Sequence, residues 1–189
     1  SNMAILHNDV AELGWNVLGD SSSESIKNLE VTVTFPNNQN EFRVWAHGPL
    51  NGVVTPENKN VLKASISNLG MYEALDVRAT FDKEVIPYAS KKSNVEALQK
   101  ILNYEEDKAA QANYEREQRE LENQQKAQEE IWACYDSLNR YCYESAARAV
   151  GYVTDQTKKA ELNKQLDELK LLVTAQEEQT AKESVINAE

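Results

Sequence analysis

The chain has 189 residues, enough for one domain of ordinary size or a small domain with an extension. Thirty-one Asp and Glu face twenty Lys and Arg, a net charge of −11 shared between residues 1–90 (−5) and residues 91–189 (−6). No basic cluster is dense enough to neutralise a run of phosphates, which argues against nucleic acid or anionic lipid headgroups as partners, and no apolar run reaches the roughly 20 residues that span a bilayer.

In chain order, "SNM" at residues 1–3 reads as the remnant of a removed tag, and no signal peptide is recognisable. Strand signals follow. "AELGWNV" sets Ala11, Leu13, Trp15 and Val17 on one side, and "NLEVTVTFP" alternates Leu29, Val31, Val33 and Phe35 with polar residues until Pro36 stops it. "EFRVWAH" turns Phe42, Val44 and Ala46 one way and Arg43, Trp45 and His47 the other. "GVVT" is a shorter piece, "NVLKASI" offers Leu62, Ala64 and Ile66, and "EALDVRATF" offers Leu75, Val77, Ala79 and Phe81. About six short strands separated by Gly, Pro and Asn predict an antiparallel, Ig-like β-sandwich over residues 4–90.

The composition then changes. All four prolines lie before residue 88 and five of the six glycines before residue 71, leaving Gly151 as the last helix breaker. Residues 91–189 therefore read as a long helical hairpin, a coiled coil or a three-helix extension. "SNVE" at 93–96 predicts a capping box, with Ser93 as N-cap and Glu96 returning the bond. Glu105 to Glu130 is mostly polar. An apolar seam resumes at Ile131, Tyr135, Leu138, Cys142, Ser145 and Ala149, which predicts a continuous helix. "GYVTD" predicts a turn, with Thr154 or Asp155 capping a last helix that carries Leu162, Leu166, Leu169 and Val173 on one stripe. The stretches either side of Gly151 should pack antiparallel, and a third helix with a break in 120–130 is the competing picture.

Few residues suggest chemistry. His47 ends its strand against Gly48-Pro49, so a strand-end role outweighs a metal-ligand role, and His7 is the only other imidazole. His7, Asp9 and Glu12 could meet at one strand end, though no spacing rule brings them together. No phosphate-binding loop, nucleophile elbow or carboxylate pair of inferable separation is present. Cys134 and Cys142 would lie about 12 Å apart in a continuous helix, beyond the roughly 7 Å that a disulfide tolerates. A turn at "YDSLNRY" would instead let the pair staple a helical hairpin in an oxidising compartment. Trp132, Tyr135, Tyr141 and Tyr143, with Tyr152, form an aromatic-rich region that reads as a packing or interaction surface rather than a ligand groove.

"DVAELGWNVLGD", "IKNLEVTVTFP", "FRVWAHGPLNG" and "YEALDVRATF", in that order, resemble a family of predicted bacterial membrane proteins known as domain of unknown function 2207. The matching features are Trp15 and Gly19, Pro36, the Trp-Ala-His-Gly-Pro run at 45–49, and Glu73 with Leu75; "YEEDKAAQANYER" is similar to the family's following helix at Ala112, Asn113 and Arg116. The resemblance spans about residues 8–118. It implies part of an extracytoplasmic domain, made with a signal sequence, short of its earliest strands here, and joined to membrane-spanning helices elsewhere. It brings no activity and no catalytic residues.

The expectation is a non-catalytic extracytoplasmic interaction or assembly module of a membrane protein. It uses no cofactor and meets a protein partner, or a second copy, through its helices; the membrane enters only through other segments. The alternatives are a loop-sited hydrolase or carbohydrate- or ligand-binding domain near Trp45 and His47, and an intracellular coiled-coil scaffold.

Overall fold

The computed structural model describes residues 3–186; Ser1 and Asn2, where a tag remnant is expected, lie outside the described residues. The fold is mixed α+β, with two antiparallel sheets followed by three helices. It divides into two compact units, Ser1–Ala112 and Asn113–Glu189.

In the first unit, β1 (Ala4–Leu6), β2 (Ala11–Leu18), β4 (Arg43–His47) and β7 (Leu75–Phe81) form a sheet in the order β1-β2-β7-β4. Strands β3 (Ile26–Thr34), β5 (Val53–Glu57) and β6 (Val61–Leu69) form a second, in the order β3-β6-β5. Both bury the faces marked by their alternation. Ala11, Leu13, Leu75, Val77 and Ala79 meet Val31, Leu62, Ala64 and Ile66 in one core. Leu62, Leu69 and Val77 are almost wholly inaccessible, and each such side chain contributes about 1.5–3 kcal/mol over its exposed state. Phe35 closes one end, its ring 4.6 Å from Phe81 and 5.2 Å from Phe42. Pro56 interrupts no ladder, because β5 is an edge strand.

Strand β1 carries no sequence signal, being three apolar residues with no alternation. It is held on both sides, by β2 and by a parallel bridge between Leu6 and Lys92. Ser93 donates its N–H to Leu6 O at 2.9 Å, so it belongs to this extended segment and does not cap a helix. Helix α1 (Leu98–Ser137) starts five residues later, and its cap comes from far away. The Asp9 carboxylate accepts the backbone N–H groups of Ala97 at 2.8 Å and Leu98 at 2.9 Å.

The second unit holds the end of α1, then α2 (Arg140–Tyr152) and α3 (Gln156–Ile186). The continuous helix predicted through Leu138 does not occur. Leu138 has φ 40°, and Asn139 caps α2 by accepting the N–H of Cys142 at 3.0 Å. Folding back there lets Ile131 and Cys134 of α1 pack against Ala146, Ala149 and Val150 of α2 and Leu162, Leu166 and Leu169 of α3. An uninterrupted helix would have left that seam in water. The turn expected in "GYVTD" is there, at Val153–Asp155, with Gly151 still inside α2. Glu120 of α1 fastens the corner, accepting from Thr154 N at 2.9 Å, Thr154 Oγ1 at 2.6 Å and Asp155 N at 3.0 Å. Asp155 caps α3 through Lys158 N at 2.7 Å. Gln128 to Gln165 at 2.8 Å and Arg140 to Glu177 at 3.1 Å continue the pairing of helices.

Candidate functional site

The register of β2, β7 and β4 sets Gly14, Arg78 and Trp45 in one cross-strand row, with Asn16, Asp76 and His47 in the next. Alternation marks these positions as the wet face, yet the first turns of α1 cover part of it. Val10, Ala97 and Ile101 are buried there, with Trp45 and Leu98 against them. Trp45 is thus a packing residue.

Beside that patch lies a chain of charges. His7 Nε2 is 2.9 Å from Glu12 Oε2, and Arg78 reaches Glu12 Oε1 at 2.7 Å. Arg78 also reaches Glu105 Oε1 of α1 at 2.9 Å, while Glu105 Oε2 is 2.8 Å from His47 Nε2. The Glu105 side chain is only 2% exposed. Tyr104 stands over the network, its ring centre 5.6 Å from the Arg78 guanidinium carbon. Burial disfavours the Glu105 carboxylate, but hydrogen bonds from His47 and Arg78 outweigh it and hold its pKa below the ordinary value. Burial likewise disfavours charge on Arg78, and the Glu105 and Glu12 bonds reverse it, raising its pKa.

All four oxygens of Glu12 and Glu105 accept a bond inside this chain. Glu105 thereby fastens α1 to the sheet through Arg78 and His47, while Glu12 ties β2 to β7 and to His7. A cleft of about 710 Å³ opens alongside, lined by Gly14, Asn16, His47, Asp76, Glu96, Lys100 and Tyr104 among others. Space above Gly14 helps form it, since a methyl group there would touch nothing within 4 Å.

His47 does end β4, and its ring also binds the buried Glu105. Of His7, Asp9 and Glu12, the first and last meet at 2.9 Å, while Asp9 caps α1. Among the described residues no group of three or more His, Cys, Asp or Glu could hold a metal ion. Cys134 and Cys142 are joined by a disulfide across the α1–α2 break, with Cα atoms 5.1 Å apart. The aromatic region divides. Tyr135 and Tyr143 pack on the helical core, whereas Trp132, Tyr141 and Tyr152 are 61%, 76% and 70% exposed. Sequence reasoning missed Glu105. Its signal was the four-residue spacing from Ala97 and Ile101, which puts a carboxylate on a buried stripe.

Residues 1–81 match the family model described as "Predicted membrane protein (DUF2207) N-terminal domain". The match covers the strands and ends before α1. No curated protein and no solved structure matches the chain. No helix among the described residues is long and apolar enough to cross a membrane.

Proposed function

We propose that the chain is a non-catalytic interaction module on the extracytoplasmic face of a membrane protein, meeting a protein partner through its helical unit. The observation that carries this reading is the exposure of large apolar side chains there: Trp132, Tyr141, Leu171 and Leu121 are 61%, 76%, 73% and 45% exposed. Trp and Tyr are enriched where one protein anchors another. The mutual saturation of Glu12, Arg78 and Glu105 supports a structural and not a catalytic role for the most buried charges. The Cys134–Cys142 bond supports an oxidising compartment. Strand order supports an Ig-like sandwich. The order β3-β6-β5 follows the B-E-D arrangement and β4-β7 the C-F pair, with β2 standing beside β7 where strand G would lie.

The test places a photo-reactive amino acid at position 132 of the membrane-anchored protein in its own cells, with a control at exposed Glu30 of β3. A discrete protein adduct from 132 and none from 30 is expected. No adduct from 132, 121, 141 or 171 would sink the reading.

The cleft beside His47 favours a second reading, a carbohydrate- or other small-ligand-binding domain. A melting temperature unmoved by a panel of mono- and disaccharides would count against the carbohydrate form of it.

A further inference from the structure

Along α1 within the helical unit, Tyr114, Gln118, Leu121, Gln125, Gln128 and Trp132 recur at alternating spacings of four and three. That is the period of a coiled-coil seam. Every position in it is uncharged, in a helix otherwise crowded with Glu, Arg and Lys. Apart from Gln128, which bonds Gln165 of α3, it lies off the seam that α2 and α3 cover. The buried residues Ala127, Ile131 and Cys134 lie on another side of α1, while Tyr114, Leu121 and Trp132 are 59%, 45% and 61% exposed. Leu121, Gln125, Gln128 and Trp132, with Gln124, Glu129 and Lys158 of α3, line a groove of about 280 Å³.

Charge identifies what fits. One flank of the seam is a row of acids at intervals of seven: Glu115, Glu122, Glu129 and Asp136, all exposed. A second copy would bring the same row, and an antiparallel two-fold pair would set acid against acid. We propose that this stripe docks an amphipathic helix of another protein, with apolar residues at heptad spacing and Lys or Arg along one flank. It is the helix-in-groove mode of recognition, in which the apolar anchors supply affinity and the flank charges set partner and orientation. The proposal rests on the interaction reading above and names the partner's chemistry.

The test titrates the full chain with a synthetic 28-residue peptide carrying Leu at heptad a and d positions, Lys on one flank and Gln on the other. Two further peptides serve for comparison, one with Glu replacing Lys and one a scramble of the Lys sequence. The Lys peptide should bind at least tenfold tighter than either. The Leu121→Gln, Trp132→Gln variant, which leaves net charge unchanged, should weaken binding tenfold or more while keeping the helical circular dichroism of the parent. Glu122→Lys, Glu129→Lys, Asp136→Lys should reverse the preference toward the Glu peptide.

Equal binding of the scrambled peptide would mean adhesion to an acidic chain and would overturn the proposal. So would unchanged affinity in the Gln variant, or no binding of the Lys peptide. Light scattering that shows a dimer of the parent and a monomer of the Gln variant would assign the stripe to a second copy and likewise overturn it. Cross-links from position 132 alongside a failed peptide titration would keep the interaction module and remove only the basic helix.

Discussion

Glu105 on α1 and Arg78 on β7 face each other at 2.9 Å, and that contact joins a helix to the outer face of a sheet. Because Glu105 is almost wholly buried, removing its charge leaves Arg78 with Glu12 alone. We expect Glu105→Gln to cost about 2 kcal/mol at neutral pH, less than a fully buried pair because Arg78 is 21% exposed. The pH dependence has a definite sign. A carboxylate whose folded pKa lies below its unfolded value of 4.5 stabilises the fold above that pH and loses the contribution on acidification. Urea midpoints of parent and variant should therefore converge as pH falls below about 4.5. A constant gap from pH 7 to pH 3 would contradict the role given to this carboxylate.

Asp9→Ala should free the amides of Ala97 and Leu98 at the start of α1. The expected cost is about 1 kcal/mol, as for other N-cap deletions. Hydrogen exchange should accelerate at residues 97–101 and leave α3 unchanged. Burial works against ionisation of Asp9, but the two amide bonds outweigh it and lower its pKa. The cap should consequently weaken as pH falls through the acidic range.

That cap shows where reading the sequence stops. Strands β2 to β7 were legible because one face is buried and the other wet, so composition alternates with period two. The start of α1 was not, because its capping residue lies 88 positions away, whereas Ser93-Asn94-Val95-Glu96 imitates a local cap. Nor was the break at Leu138 visible, since the apolar seam runs across it at helical spacing. Both arms bury that seam against α3, so a bent helix and a straight one carry the same pattern. At the candidate site, His47 was legible as a strand end. Its partner Glu105 was hidden among similar polar residues of one helix.

Gly151 sits in α2 with ordinary helical backbone, and a methyl group added there would meet nothing within 4 Å. Gly151→Ala should raise stability by up to about 1 kcal/mol through helix propensity alone. A thermal melt that moved downward would show that the position needs glycine.

Glu120 is held at a pKa of about 2; burial opposes this, and hydrogen bonds from Thr154, Gln124 and Asp155 together override it. Since the side chain is only partly buried, the shift is discounted, and Glu120→Gln should cost about 1–2 kcal/mol at pH 7. The parent should lose this advantage between pH 4.5 and about 2, the interval between its unfolded and folded values. Unfolding followed by circular dichroism at pH 7, 4 and 2.5 would reveal it.

Replacing Cys134 and Cys142 together by Ser opens a short covalent loop of sequence separation 8. The expected loss is about 2–3 kcal/mol, with a lower melting temperature and unchanged helical content at 20 °C. Loss of helix at 20 °C would mean the corner depends on sulfur.

The α1–α2 corner is specified twice, by a covalent bond and by the Asn139 side chain, and only the first responds to the redox state of its surroundings. Reducing agents should then leave the helices running in the same directions but more easily pulled apart. The thiol pair should act as a clamp and not as a switch, its oxidation adding durability to a path that the polypeptide already follows.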